Sequence, residues 1–269
     1  MPEAKAGPPE DHQMGGGMSP FFPPRLRVFQ GVLAVVAIVI ISWGAAWCVG
    51  TVFVWGTGLT TFAGIWSVGQ MEALRTAGLA IFLFADQAAV VVLTVLAARW
   101  FVPLGQLALP IATPRPSVKA ILGAVLLFFV LVGSISFAVN AVAPQAFDND
   151  IKPFAELMQA RTWWLMLIAA AIGAPLAEEL LFRGFLFGVL RETRLGFSGA
   201  AAISSVAWAG LHVQYSGFAI AVIVLMGLYL AWLRERTGSL LVSMICHGIY
   251  NGAVMLALTF APDAPLQPG

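Results

Sequence analysis

Charge is scarce in this chain. Only 10% of its 269 residues are Asp, Glu, Lys or Arg, 60% are hydrophobic, and mean hydropathy is +0.90. A soluble globular domain carries about 25% charged residues, so this composition excludes an ordinary water-solvated surface. With a net charge of +1, nothing suggests nucleic-acid binding. Cysteine is limited to Cys48 and Cys246, too few and too far apart for a disulfide framework or a Cys-based zinc knuckle. Both read as small hydrophobes inside helices. The His-Glu-x-x-His zinc helix is missing. Repeated halves with matching Gly/Pro-broken helices, the mark of many carriers, are also missing.

What the chain does have is long apolar runs. Seven stretches read as spans: about 28–54, 76–102, 119–142, 163–190, 198–213, 217–233 and 239–260. The fifth and sixth lie at the lower edge of what crosses a hydrocarbon core of ~30 Å. The expected fold is an all-α, polytopic transmembrane helical bundle of about seven spans in the cell membrane, in contact with the lipid bilayer. Residues 1–24, rich in Pro and Gly, read as a disordered cytoplasmic tail. Residues 25–160 hold the N-terminal transmembrane spans, with Pro and Gly clusters at 103–116 and a polar stretch at 144–162 as the longer connections. No signal peptide is expected, because the first apolar stretch is long enough to span outright. Counting Lys and Arg on alternate sides gives ten against three, with Arg183 left inside. The positive-inside rule then puts the N-terminus in the cytoplasm.

Against this background "APLAEELLFRGFLFG" (174–188) stands out, with Glu178, Glu179 and Arg183 inside a membrane run. Each charge at a helix centre costs roughly 2.5–3.5 kcal/mol on insertion scales, so intramembrane ionisable groups point to function. Glu179 and Arg183 are four apart and share a face, which makes them a pair. Glu178 is turned about 100° away and needs a partner on another helix. His212 ends "SSVAWAGLH", and "CHGIYNG" puts His247 and Asn251 four apart on one face. At a rise of 1.5 Å per residue, all six groups fall at depths of ~12–21 Å from the cytoplasmic helix ends. Asp86 and Gln87 in "LFADQAAV" read as a packing pair.

A carboxylate in a low-dielectric site serves as a general base or acid near neutrality. A His across the site can bind the same water. Two donors on one helix face suit an oxyanion forming at a carbonyl. Together they describe water attack on an amide, with no covalent intermediate. "GFSG" (196–199) imitates a serine-protease motif, but Ser198 lies ~13 Å in depth from His247 by helical rise. It reads better as an N-cap. A proton-coupled carrier, or a non-catalytic scaffold such as a bacteriocin-immunity protein, is the competing class, because Glu and His also build proton relays.

"EELLFR" (178–183), "WAGLH" (208–212) and "HGIYN" (247–251) resemble the three motifs of the CPBP intramembrane proteases, the CAAX-type prenyl endopeptidases and their bacterial relatives (the Abi family). The resemblance covers about residues 160–260 and makes 161–262 the expected protease core. It implies that Glu178 and His212 activate water and that His247 and Asn251 hold the oxyanion. Glu179 and Arg183 would support them. The implied substrate is a membrane-associated or lipidated peptide or protein, in a cavity opening toward the cytoplasm or sideways to lipid. No cofactor is required in this reading. Glu178, His212 and His247 are the candidate ligands in the alternative that uses zinc. One departure is Trp208, where the family usually has Phe.

Overall fold

The computed structural model describes residues 24–57, 68–101 and 117–260. The expected tail lies outside these residues except for Pro24, and so does the whole 103–116 connection. The described residues are helical: α1 (Pro24–Gly56), α2 (Val68–Phe101), α3 (Val118–Val142), α4 (Pro144–Met158), α5 (Trp163–Arg191), α6 (Gly196–Ala209), α7 (Gly217–Thr237) and α8 (Leu240–Phe260). The protein is a multi-pass membrane protein. Six helices, all but α4 and α6, are long and apolar enough to cross a membrane.

The count of seven is corrected at α6. Its 14 residues rise about 21 Å, and a single 3-10 turn, Gly210–His212, ends it. By length it falls short of a full span, although it is the hairpin partner of α7. A second correction concerns 144–162, expected as a polar connection. Residues 144–158 form α4, opened by Pro144 at its first position, where the missing N–H costs nothing. A third concerns Ser198. The helix starts at Gly196, whose φ of +60° suits only glycine without strain, and Ser198 makes no capping bond. Thr193 serves that end instead, accepting from Leu195 N–H at 3.3 Å and donating to Leu190 O at 2.6 Å.

The centre of the bundle is α5, which packs against α1, α2, α4, α6, α7 and α8. Phe182, Leu186, Phe187 and Leu190 on α5 meet Phe128, Trp208 and Leu230 in the main core. Outward-facing side chains such as Trp47, Val52 and Phe137 are exposed and apolar, as lipid contact requires. Inside, small residues bring backbones together, as is usual where helices pack in lipid. A Cβ on Gly248 would meet Ala171 O at 2.5 Å, and one on Gly227 would meet the Ser205 Cβ at 2.7 Å.

α5 is not a uniform α-helix. Ala169–Gly173 and Glu179–Leu186 are π-helical, a form that recurs at functional sites. Pro175 follows the first π segment and carries no N–H, so the carbonyl one π turn back, Ala170 O, lacks a backbone donor. Asn251 Nδ2 donates to it at 3.0 Å, and Gln87 Nε2 donates to Ala169 O at 3.0 Å. These bonds tie α2 and α8 to the wide turn that precedes Glu178. Gln87 thus packs helices as the sequence led one to expect.

The short α4 is pinned to the start of α7. Ser216 donates to Asp150 through its backbone N–H at 2.8 Å and through its hydroxyl at 2.6 Å. Ser216 in turn caps α7 by accepting from Ala219 N–H. Replacing Asp150 with Ala is expected to lower stability by about 1–3 kcal/mol, read as an earlier thermal unfolding midpoint in detergent.

Candidate active site

A cavity of about 710 Å³ is lined by residues of all eight helices. Glu178, His212, His247 and Asn251 all line it, as do Asp86 and Trp208. The structure therefore gathers the four residues singled out in the sequence around one space. Asp86 also lines the cavity; its side chain bonds Ser42 of α1, as a packing role requires, while its Oδ1 is buried with no hydrogen-bond partner among the described residues.

The two glutamates separate as their helical angle requires. Glu179 and Arg183 are fully buried and pair at 2.9 Å between Oε1 and Nη1. Glu178 points elsewhere, with its side chain 22% exposed. Trp208 Nε1–H donates to Glu178 Oε2 at 2.6 Å. That bond engages one oxygen of the carboxylate, Oε2.

His247 stands between both carboxylates. Its Nδ1 lies 3.1 Å from Glu179 Oε1 and its Nε2 lies 3.9 Å from Glu178 Oε2. A carboxylate paired with arginine accepts only, so Nδ1 carries the proton and donates to Glu179. Glu179 thereby holds the imidazole as well as Arg183. Arg183 also lies over the Trp208 ring, 4.3 Å from its centroid, a favourable cation–π arrangement. Glu179 Oε2 and Arg183 Nε and Nη2 are buried without hydrogen-bond partners among the described residues.

His212 sits on the 3-10 turn that closes α6. Its Nδ1 is 3.1 Å from Trp208 O. A carbonyl only accepts, so Nδ1 donates and Nε2 is the lone-pair nitrogen. Tyr215 stacks on His212 at 5.7 Å and on Phe154 of α4 at 6.0 Å. Burial, with Glu178 and Asp150 nearby, pushes the Tyr215 hydroxyl up to about 12, so it remains a neutral donor. Asn251, already bonded to Ala170 O, has a second amide N–H to offer.

Catalytic zinc ordinarily takes three protein ligands. Among the described residues no group of three His, Cys, Asp or Glu side chains stands close enough to hold a metal ion. Of the candidate ligands Glu178, His212 and His247, Glu178 Oε2 and His247 Nε2 stand 3.9 Å apart, and the Nδ1 bonds of the two histidines leave Nε2 as the free nitrogen of each ring. No step below runs through a metal.

Sequence reasoning missed two contacts: the Trp208 bond to Glu178 and the Glu179 bond to His247. The first had a trace in the sequence, because Trp carries an N–H where the usual Phe has none. The second had no signal, because helical spacing says nothing about which face of α8 meets α5.

The three motifs fall within residues 160–253, which match the family model for Rce1-like proteins, the type II CAAX prenyl endopeptidases. The chain carries an Rce1-like segment. It is similar to YdiL of Bacillus subtilis (strain 168), described as a candidate membrane peptidase, at 29% identity over 47% of this chain and 49% of YdiL. It is also similar to the UPF0177 protein YxdF of Lactococcus lactis subsp. lactis (strain IL1403), at 31% identity over 32% of this chain and 48% of that protein. The chain spans about half the length of the curated relatives it matches. No solved structure matches it. The Rce1-like segment contains the whole constellation of Glu178, Glu179, Arg183, His212, His247 and Asn251.

Proposed function

We propose that this protein is an intramembrane endopeptidase that hydrolyses a peptide bond by direct water attack. The observation that carries this reading is the convergence of Glu178, His212, His247 and Asn251 on one cavity inside an Rce1-like segment. Glu178 and the His212 Nε2 bind one water, and Glu178 takes its proton as the oxygen adds to the carbonyl carbon. The oxyanion is held by the second amide N–H of Asn251 and by Nε2–H of His247 in its doubly protonated form, whose Nδ1–H stays on Glu179. As the intermediate collapses, the C–N bond breaks and the proton held by Glu178 passes to the leaving amine. One water is consumed, and a carboxylic acid and an amine are released. The substrate is a membrane-associated or lipidated peptide, entering a mostly apolar cavity. The N-terminus lies in the cytoplasm, on the strength of the ten-to-three bias of Lys and Arg.

The test uses the purified full chain in detergent, with a fluorogenic peptide bearing a prenylated C-terminal motif and the same peptide without the lipid. Wild type cleaves at least one, and His247→Ala cleaves neither above background. Activity survives exhaustive chelation with no metal left on the protein. Unimpaired cleavage by His247→Ala removes that residue from the mechanism. Activity lost on chelation and regained with zinc establishes the metal route instead. A wild type that cleaves nothing, yet moves protons or binds a membrane partner, returns the protein to the carrier or scaffold class.

A further inference from the structure

We propose that Trp208 is a positioning residue for the reaction, acting through Glu178. This rests on the protease reading above. The indole is 2% exposed and meets the polar groups of the site from several sides. Its Nε1–H holds Glu178 Oε2 at 2.6 Å. Its carbonyl accepts from His212 Nδ1 at 3.1 Å, which leaves Nε2 as the nitrogen facing a ligand. Its ring meets the His212 ring edge-on at 5.6 Å and the His247 ring edge-on at 5.3 Å, and Arg183 covers it at 4.3 Å.

The side-chain bond is the part specific to tryptophan. Any residue at 208 would offer the carbonyl, and phenylalanine would offer the ring. Only the indole adds a donor that fixes one carboxylate oxygen and directs the other, Oε1, to the substrate. A short bond to a charged acceptor is stronger than a neutral one, and it selects one rotamer of a side chain that is otherwise free on the cavity wall. A general base must lie within hydrogen-bond reach of the proton it takes. Without the indole N–H, Glu178 samples orientations from which it cannot reach the water that His212 also binds.

Two replacements separate this role from packing. Trp208→Phe keeps an aromatic ring and removes the donor. Replacement of Trp208 by 3-benzothienylalanine keeps the shape of the indole and puts sulfur in place of N–H. Both are expected to lower kcat roughly 10- to 100-fold and to change KM by less than about twofold, against the same fluorogenic peptides. In ¹⁵N-labelled protein, the Trp208 Nε1–H resonance is expected to move upfield on Glu178→Gln, as the acceptor loses its charge. If Trp208→Phe unfolds, the sulfur isostere decides. Wild-type kcat in the isostere overturns the inference while the protease reading stands. An Nε1–H resonance indifferent to Glu178→Gln overturns the bond itself. A wild type without proteolysis overturns the protease reading, and this inference with it.

Discussion

Glu178→Gln is expected to lower cleavage by roughly 10²- to 10⁴-fold, the usual contribution of a positioned general base, while leaving the fold intact. The amide has nearly the shape of the carboxylate and keeps an oxygen to accept from Trp208 Nε1–H. Glu178 makes no ion pair with Arg183, whose buried partner is Glu179. The 3.9 Å separation from His247 Nε2 is too long for a hydrogen bond that the substitution could break. The amide, however, cannot take a proton from water. Kinetics with the fluorogenic peptides, paired with a thermal unfolding curve, check both halves. Wild-type rates in this variant would remove Glu178 from the chemistry. A collapsed unfolding midpoint would show that its role is structural.

Arg183→Met is expected to have the opposite profile, a large loss of stability that takes activity with it. Both members of the Glu179–Arg183 pair are fully buried. Removing one partner of a buried pair costs about 3–5 kcal/mol, because an uncompensated charge stays behind. The cation over the Trp208 ring is lost as well. The double variant Glu179→Gln/Arg183→Met removes both charges and should regain most of the lost stability, since replacing a whole buried pair is often neutral. Its activity should stay low, because His247 Nδ1 then donates to an amide rather than a carboxylate. Denaturant or thermal unfolding in detergent measures the first effect and cleavage kinetics the second. Full activity in a well-folded double variant would show that the carboxylate of Glu179 does not serve His247.

The separation of those two glutamates was legible in the chain. Adjacent residues on a helix diverge by about 100° while residues four apart share a face. That alone assigns Glu179 to Arg183 and frees Glu178, and the π-helical turn of Glu179–Leu186 does not undo it. The boundaries of the long helices were legible for an equally local reason, since lipid demands unbroken apolar runs with internally bonded backbones. Two weaker expectations failed where the local signal was thin. Residues 144–158 are polar enough to resemble a loop, but their helix is held by Asp150 on Ser216 and by packing against α8. Ser198 resembles a cap, but Gly196 starts the helix earlier.

The sequence by itself determined that this is a helical membrane protein with ionisable groups inside its apolar runs. Each of those facts depends only on composition and on the period of a single helix. The tertiary structure decided what the groups touch. It turned α6 so that the Trp208 indole reaches Glu178, set His247 between both carboxylates, and used one Asn251 N–H to satisfy the carbonyl that Pro175 leaves without a donor. Those contacts depend on the rotation and approach of neighbouring helices. Small residues such as Gly227 and Gly248 and the wide π turns of α5 set that approach, and no periodicity within one helix encodes it.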